Sequence, residues 1–287
     1  MREYLISTDS TADLPADYVK LHNIFIHPLY YNFNGDVYGG DRDLTPKEFY
    51  ARMRSGEMPT TMATNPDFVH VAFTNQVEQG YDVLHISFSS VLSGSCSNAT
   101  VNAREVCEEH PEATITVIDS CAASMGQGLL VHKAVMLKEQ GKTMEEVVSW
   151  ITKNKDHLCH QFTVDDLFHL HRGGRVSKTS AIIGTLINVK PVLHVDLEGR
   201  LIPLANVRGR KKALIKLVDN MEERIVGYEN DIVFISHGDC LEDAQFVADL
   251  IKERLGIQNF IINYICPTIG AHSGPGTVAL FFMGSQK

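Results

Sequence analysis

The sequence predicts an α/β protein with two domains, and three observations point to this class. Up to about residue 160, short apolar runs alternate with helical stretches, which is the pattern of a mainly parallel sheet flanked by helices. Later in the chain, two strand-like runs flank the turn Leu197-Glu198-Gly199, as in an antiparallel hairpin. The 287 residues, 44% of them hydrophobic, suffice for two ordinary cores. We expect a first α/β domain over 1–160 and a mixed or antiparallel α/β domain over 161–287.

The first domain is predicted as repeated units of strand, polar turn and helix. The expected strands are 3–8, 81–87 and 114–118, and 24–33 is a further apolar run. The expected helices are 15–21, 66–79, one that ends near 109, 124–140 and 142–156. Another helix should begin at Thr45-Pro46, because Pro suits the first turn and Glu48 stands three residues after the cap.

The second domain is predicted because the regular alternation of strands and helices ends after about residue 160. The hairpin should pair 192–196 with 200–207. The remaining elements are expected to be a helix over 210–226, a strand over 231–236, a helix over 241–255 and strands over 258–264 and 277–283.

A basic turn in the stretch 169–191 is the most distinctive local feature. A helix is expected to end at Gly173-Gly174, and Ser177 is a plausible cap for a following apolar helix. Arg172, Arg175 and Lys178 fall between these two elements. Such a turn could hold an anion, or it could be a helix end with solvated charges, and the residues leave both readings open.

Composition and charge exclude several classes of protein. The net charge of −9 argues against nucleic acid as the main partner. No apolar run approaches the ~18 residues of a membrane helix, and the N-terminus is too weakly apolar for a signal peptide. The six cysteines form no C-x-x-C pair and match no zinc spacing. We therefore expect a cytoplasmic protein with reduced thiols, no metal site and no cofactor.

Hydroxyl-rich loops follow several predicted strands. Four of them cover 8–11, 60–64, 89–97 and 119–120, and a glycine-rich turn over 269–277 carries His272. Ser and Thr hydroxyls suit a carboxylate or a phosphate, although they are also common turn and cap residues.

Enzyme motifs are incomplete. Asp9 follows a strand as in aspartyl-phosphate phosphatases, but Thr11 stands where a second Asp is usual. Ser93 and His272 could belong to a hydrolase triad, yet the G-x-S-x-G elbow is absent. The turn Gly274-Pro275-Gly276-Thr277 lacks the lysine of a phosphate-binding P-loop.

Several motifs, taken in order, make the chain resemble the DegV family of fatty-acid-binding proteins, which includes the lipid-carrying subunit of bacterial fatty acid kinase. They are TDSTADLP at 8–15, PTT at 59–61, SSVLSGS at 89–95, DS at 119–120, LHRGGRVSKTSAIIGTLINVKPVL at 170–193, VRGRKKAL at 207–214 and GAHSGPGTVALFF at 270–282. They span nearly the whole chain.

This resemblance implies a ligand site between the domains. It implies an acyl chain in an apolar tunnel of the first domain and a carboxylate at the domain junction. The residues that the resemblance places around the carboxylate are Thr61, Ser93, Arg208 and His272, and the expected site also includes their neighbours Thr60 and Gly94. Met62 departs from the family, whose members often carry serine there.

The resemblance also implies a carrier rather than an enzyme. The carrier would present the carboxylate to a separate ATP-binding kinase subunit, which makes an acyl phosphate, with at most transient membrane contact. Two alternatives remain open: a stand-alone acyl hydrolase or transferase that uses Ser93 and His272, and a regulatory protein that senses lipid supply.

Two basic clusters offer a surface for the kinase. They comprise Arg172, Arg175 and Lys178 in one stretch, and Arg208, Arg210, Lys211 and Lys212 in another. We expect them to lie near each other at the mouth of the lipid site. The other reading of Arg210 to Lys212 is a solvated first helical turn.

Overall fold

The structure, a computed structural model, describes residues 2–165, 167–177 and 188–285. Lys178 and the helix predicted after Ser177 lie outside the described residues.

The described strands include all the predicted ones, the apolar run over 24–33 as two short strands, and three that were not predicted, over 36–38, 60–62 and 158–163. They are β1 Tyr4–Asp9, β2 Phe25–His27, β3 Tyr30–Phe33, β4 Asp36–Tyr38, β5 Thr60–Met62, β6 Asp82–Ser87, β7 Ile115–Asp119, β8 Leu158–Thr163, β9 Val189–Val195, β10 Leu201–Arg208, β11 Val233–His237, β12 Phe260–Tyr264 and β13 Val278–Met283.

The described helices are α1 Ala16–Leu21, α2 Pro46–Arg54, α3 Pro66–Glu78, α4 Ser95–Glu109, α5 Met125–Glu139, α6 Met144–Asn154, α7 Phe168–Arg172, α8 Arg210–Arg224, α9 Leu241–Leu255 and α10 Pro267–Ser273. The predicted cap of α2 is confirmed as a full capping box, in which Thr45 and Glu48 bond each other's backbone N–H.

A four-stranded parallel sheet forms the first layer, in the order β2-β1-β6-β7. β1 and β6 are buried along nearly their whole length, as expected for central strands covered on both faces. Helices α3 and α4 cover one face through a cluster that includes Val69, Phe73 and Val106. The predicted α/β class and the parallel first sheet are thus confirmed.

The second sheet is mixed, in the order β10-β9-β8-β13-β11-β12, and only β11 and β12 run parallel. The hairpin of β9 and β10 is present, with Gly199 at a φ of 87° in its turn. Helices α8 and α9 cover its outer face. β8, which periodicity did not predict, contains residue 160, so the predicted domain boundary falls within a strand of this sheet.

Helix α5 lies between the two sheets and is shared by them. It contacts β1 and β6 on one side and β8, β11 and β13 on the other. Its side chains are buried on all sides over most of its length, which explains why it lacks an amphipathic pattern. One hydrophobic cluster, which includes Ile86, Leu129 and Phe281, therefore runs through both halves of the chain.

A small antiparallel sheet, in the order β4-β3-β5, packs with α2 against α10. Tyr50 of α2 donates a hydrogen bond to the carbonyl of Ile265 (3.0 Å), and Gly270 of α10 lies against the ring of Tyr50. The segment around His272, which the sequence suggested was a glycine-rich turn, is therefore the end of a short helix. This contact brings β5 and α10 together at the site described next.

Candidate functional site

A cavity of about 180 Å³ lies between the two sheets, beside the start of α5. Both halves of the chain line it, and most of the lining is apolar. The apolar residues include Leu29, Phe88, Leu92, Phe162, Val195 and Phe281. Its shape and chemistry suit a flexible apolar ligand with one polar end.

Asp9 fixes the loop that forms one wall of this cavity. Its carboxylate accepts hydrogen bonds from the N–H of Phe88 (2.6 Å) and from Ser87 Oγ (3.0 Å), and its other oxygen lies 3.5 Å from His85 Nε2. Burial alone would raise the pKa of Asp9, but these hydrogen bonds and His85 hold it below its usual value. A fully buried carboxylate with this many partners supports the loop and is not poised as a nucleophile.

Thr61 and His272 meet at one end of the cavity. Thr61 Oγ1 lies 2.8 Å from His272 Nε2, which joins β5 to the last turn of α10. Gly173 lies against the other side of the imidazole, where a Cβ atom would overlap with Nδ1. The predicted glycine pair thus does more than end a helix, because Gly173 makes room for the histidine ring.

His272 is neutral at physiological pH in this environment. Burial, together with the charges of Arg175 and Arg172 and the proximity of His169, lowers the pKa of His272 to about 3. Its Nδ1 atom has no hydrogen-bond partner among the described residues. Because Nδ1 is buried against Gly173, the imidazole can reach a ligand only through Nε2, which it shares with Thr61, and it does not supply a positive charge.

The positive charge at this end comes from the basic turn. Arg175 donates to the carbonyl of Leu92 (2.9 Å) and lines the cavity. Arg172 donates to the carbonyls of Pro59 (3.1 Å) and Ala271 (3.0 Å). Burial lowers the pKa of both guanidinium groups, and no carboxylate of residues 2–165, 167–177 or 188–285 pairs with either of them. Both cations keep their charge available for an anion.

Ser93 and Gly94 line the same end of the cavity. We call this the head-group end and define it by Thr61, Ser93, Arg175 and His272. Ser93 Oγ lies 3.0 Å from Ser95 Oγ and accepts a hydrogen bond from the N–H of Ser95 (3.2 Å). Gly94 is exposed at the cavity and nothing lies within 4 Å of where its Cβ would be, so it leaves space for a ligand.

Two predicted site residues lie elsewhere. Thr60 is exposed and does not line the cavity, whereas its β5 neighbours Thr61 and Met62 do. Arg208 is exposed at the end of β10, paired with Val189, and does not line the cavity. The site roles of these two residues remain predictions.

The structure adds residues that the site prediction missed. Arg175 belonged to the basic turn recognised in the sequence but was not assigned to the carboxylate. Ser273 lines the cavity, is buried, and its hydroxyl has no partner within the described part of the chain. Its position beside His272 was the only available signal.

The head-group end lacks the arrangement of a hydrolase. Ser93 Oγ is engaged with Ser95, whereas His272 is engaged with Thr61. The described residues place no carboxylate on His272 Nδ1, so nothing orients this ring as a general base. The described residues also include no group of three His, Cys, Asp or Glu that could hold a metal ion, and no described helix is long and apolar enough to cross a membrane.

Comparisons with known proteins cover essentially the whole chain. Residues 4–285 match the family model described as "Uncharacterised protein, DegV family". A DegV domain-containing protein of Clostridium perfringens is 43% identical over 289 residues, which covers 100% of this chain and 99% of that protein. One from Lactococcus lactis is 35% identical over 287 residues and covers 99% of both chains.

Solved structures show the same architecture. A stearic acid-binding protein from Eubacterium ventriosum superposes with a TM-score of 0.90 at 27% identity and covers 98% of both chains. A fatty acid-binding DegV family protein from Thermus thermophilus superposes with a TM-score of 0.85 at 28% identity, covering 99% of this chain and 100% of that chain. The fatty acid-binding DegV of Bacillus subtilis gives a TM-score of 0.85 at 27% identity over 99% and 100% of the two chains.

Proposed function

Because the chain belongs to the DegV family, we propose that it binds one long-chain fatty acid in the cavity between its sheets and carries it to a separate kinase. The observation that carries this proposal is the cavity itself, apolar along most of its wall and cationic at one end. Similar proteins of known structure are described as binding fatty acids.

The energetics favour an acid over other lipids. Each buried CH₂ contributes about 0.8 kcal/mol, so the acyl chain supplies most of the affinity. The carboxylate needs donors and a positive charge once it leaves water. Thr61, Ser93 and neutral His272 can supply hydrogen bonds, and Arg175 supplies the charge.

The carrier role follows from the chemistry at the head-group end. A carboxylate held there has no adjacent nucleophile with a positioned base, so its conversion to an acyl phosphate requires a second protein that brings ATP. Met62 and Gly94, which line this end, are exposed, so the carboxylate is accessible to such a partner. A cytoplasmic location, with free thiols, accords with this role.

Mass spectrometry of the purified protein tests the proposal. Organic extraction should release roughly one long-chain fatty acid per chain, the stoichiometry of a single cavity. A chain that is isolated empty and takes up neither palmitate nor oleate would overturn it. A chromogenic acyl ester, incubated with the protein alone, should remain intact.

A further inference from the structure

The cavity contains a second group of polar side chains, separate from the head-group end. We call it the inner polar set and define it as Thr11, Ser124, His160 and Thr268. A tunnel for an unsubstituted acyl chain needs no such groups, because methylenes form no hydrogen bonds. The contacts that fix these four side chains therefore help to indicate what kind of ligand the cavity accepts.

Asp13 organises one part of the inner polar set. Its carboxylate accepts a hydrogen bond from Ser124 Oγ and another from the N–H of Cys266 (2.9 Å). Thr268 Oγ1 lies 3.2 Å from Cys266 Sγ. Ser124 therefore contacts the buried Asp13 carboxyl group directly, and Thr268, from the other half of the chain, contacts it through Cys266.

His160 reaches the same region from the second sheet. Its ring lies against Gly126, the second residue of α5, where a Cβ atom would overlap with the imidazole. It also meets Phe281 edge to face, with ring centroids 5.3 Å apart. Because Ser124 is the N-cap of α5, His160 and Ser124 face the cavity at the same end of that helix.

The backbone at Ser124 is strained in a way that keeps its hydroxyl in place. Its φ of 56° and ψ of −148° are ordinarily adopted by glycine and cost other residues about 1–3 kcal/mol. Its Oγ lies 2.7 Å from Ser236 Oγ in addition to its bond with Asp13. Glycine would relieve the strain but would lose the bonds to Asp13 and Ser236, which hold the hydroxyl at this end of the cavity.

The inner polar set retains hydrogen-bonding capacity. Within residues 2–165, 167–177 and 188–285, the partner of the Thr268 hydroxyl is a thiol, which bonds weakly. Thr11 Oγ1 donates its one proton to Gln127 (2.9 Å) and keeps its acceptor lone pairs. An oxygen atom on the ligand could pair with these groups.

The position of Thr268 indicates where on the ligand that oxygen would lie. Thr268 precedes His272 by four residues in α10, so the two side chains share a face about 6 Å apart along the axis. Thr268 of the inner polar set therefore lies only a few methylene groups from His272 at the head-group end.

We propose that the inner polar set binds an oxygen atom carried on the acyl chain, so that the ligands include long-chain hydroxy- or oxo-fatty acids substituted nearer the carboxylate than the terminal methyl. This rests on the proposed function, since it assumes a carboxylate at the head-group end.

Binding of a positional series to the delipidated full chain tests the proposal. The probes are palmitate and its 3-hydroxy, 6-hydroxy and 16-hydroxy derivatives. An unpaired hydroxyl in an apolar wall costs about 1–3 kcal/mol, so 16-hydroxypalmitate should bind roughly 5-fold or more weakly than palmitate. The better of the 3- and 6-hydroxy acids should bind within about 3-fold of palmitate, because its hydroxyl finds partners.

Thr268→Val separates the inner polar set from general effects of mutation, because it replaces a hydroxyl with a methyl of similar size. It should weaken the better hydroxy acid about 5-fold or more relative to palmitate, the loss of one hydrogen bond. Thr152→Val, the same change at an exposed position of α6 that does not line the cavity, should leave that ratio unchanged.

The possible outcomes distinguish this inference from the proposed function. If palmitate itself does not bind, the fatty acid carrier is wrong. If palmitate binds but both proximal hydroxy acids are more than 3-fold weaker, or if Thr268→Val leaves their ratio to palmitate unchanged, the inner polar set does not recognise an oxygen and the inference alone is overturned.

Discussion

At the residue level, Arg175 is the cation of the described residues that lines the cavity, whereas Arg208 is exposed at the end of β10. The family resemblance placed Arg208 at the carboxylate, which stays a prediction, whereas Arg175 of the basic turn is the arginine that lines the cavity. Both are arginines in short basic stretches, so sequence offers no means to choose between them. The choice depends on which stretch packs against α10 and the loop that follows β6.

Arg175→Ala should weaken fatty acid binding by about 30-fold, because a hydrogen bond to a charged group contributes about 2 kcal/mol. Arg208→Ala, the matched control, should change binding less than about 3-fold, since an exposed charge off the cavity adds little. Calorimetric titration with palmitate measures both, and Arg175→Lys tests whether charge alone suffices. If only Arg208→Ala weakens palmitate binding, the carboxylate does not lie beside Arg175.

Asp13 should give the protein an unusual dependence on pH. Burial raises the pKa of this carboxyl to about 7, although hydrogen bonds from Ser124 and Cys266 act in the opposite direction. Between about pH 4 and pH 7, the folded chain retains a proton that the unfolded chain releases. The contribution of Asp13 to stability therefore falls as pH rises through this window, by up to the order of 1 kcal/mol per pH unit, and the loss is complete above pH 7.

Asp13→Asn should remove that dependence. Urea unfolding between pH 4.5 and 8.5 measures this. The free energy of unfolding of the variant should rise relative to that of the natural chain up to about pH 7, and the difference between them should be constant above that pH. Two curves that run parallel across the range would mean that Asp13 is already ionised in the folded protein.

At the level of elements, α5 holds the two sheets together, and its glycines allow this close packing. Gly126 lies directly against the ring of His160 in β8. A helix packed on both sides needs small residues wherever a large side chain of a neighbouring strand approaches its axis. The sequence shows those glycines, but it does not show which strand approaches them.

Gly126→Ala should destabilise the protein even though alanine favours helix. Overpacking against a buried ring costs about 1–3 kcal/mol, and the gain in helix propensity returns at most about 1 kcal/mol. Gly94→Ala is the control, since its Cβ would meet nothing within 4 Å. Chemical denaturation should show a lower midpoint for Gly126→Ala alone, and equal midpoints would mean that His160 can move aside.

At the level of the whole molecule, the charge distribution bears on the proposed kinase partner. The chain carries −9, yet Lys211 and Lys212 are exposed in the first turn of α8. Cations at a helix N-terminus are mildly unfavourable, so their presence there calls for another cause or is merely tolerated. Arg210 beside them is engaged with Asp243 and Asp165, which leaves the two lysines as the accessible charges of this turn.

Reversal of Lys211 and Lys212 to glutamate should lower the apparent affinity of the kinase for the loaded carrier and leave fatty acid binding unchanged. Attraction of this kind acts mainly on association rate and weakens with salt, so the effect should be largest at low ionic strength. Reversal of Lys47 and Lys153, two other exposed lysines, changes the net charge equally and serves as the control. Unaltered phosphorylation kinetics at low salt would identify the turn as merely solvated.

The sequence by itself determined the α/β class, the parallel first sheet, the hairpin of the second sheet and the family. Apolar periodicity, glycine turns and caps act over a few residues, and the order of motifs from TDSTADLP to GAHSGPG can be read directly along the chain. It also identified Thr61, Ser93, Gly94 and His272, which the structure places at one cavity.

Tertiary structure alone decided how these parts meet. The pairing of β8 with β13 and the contact of Thr61 with His272 join residues more than one hundred positions apart. The tie between Asp13 and Cys266 is of the same kind, and the contact of Arg175 with Leu92 joins residues 83 positions apart. Such contacts depend on which faces remain apolar after the local elements have formed, and burial of α5 between two sheets is the step that fixes them.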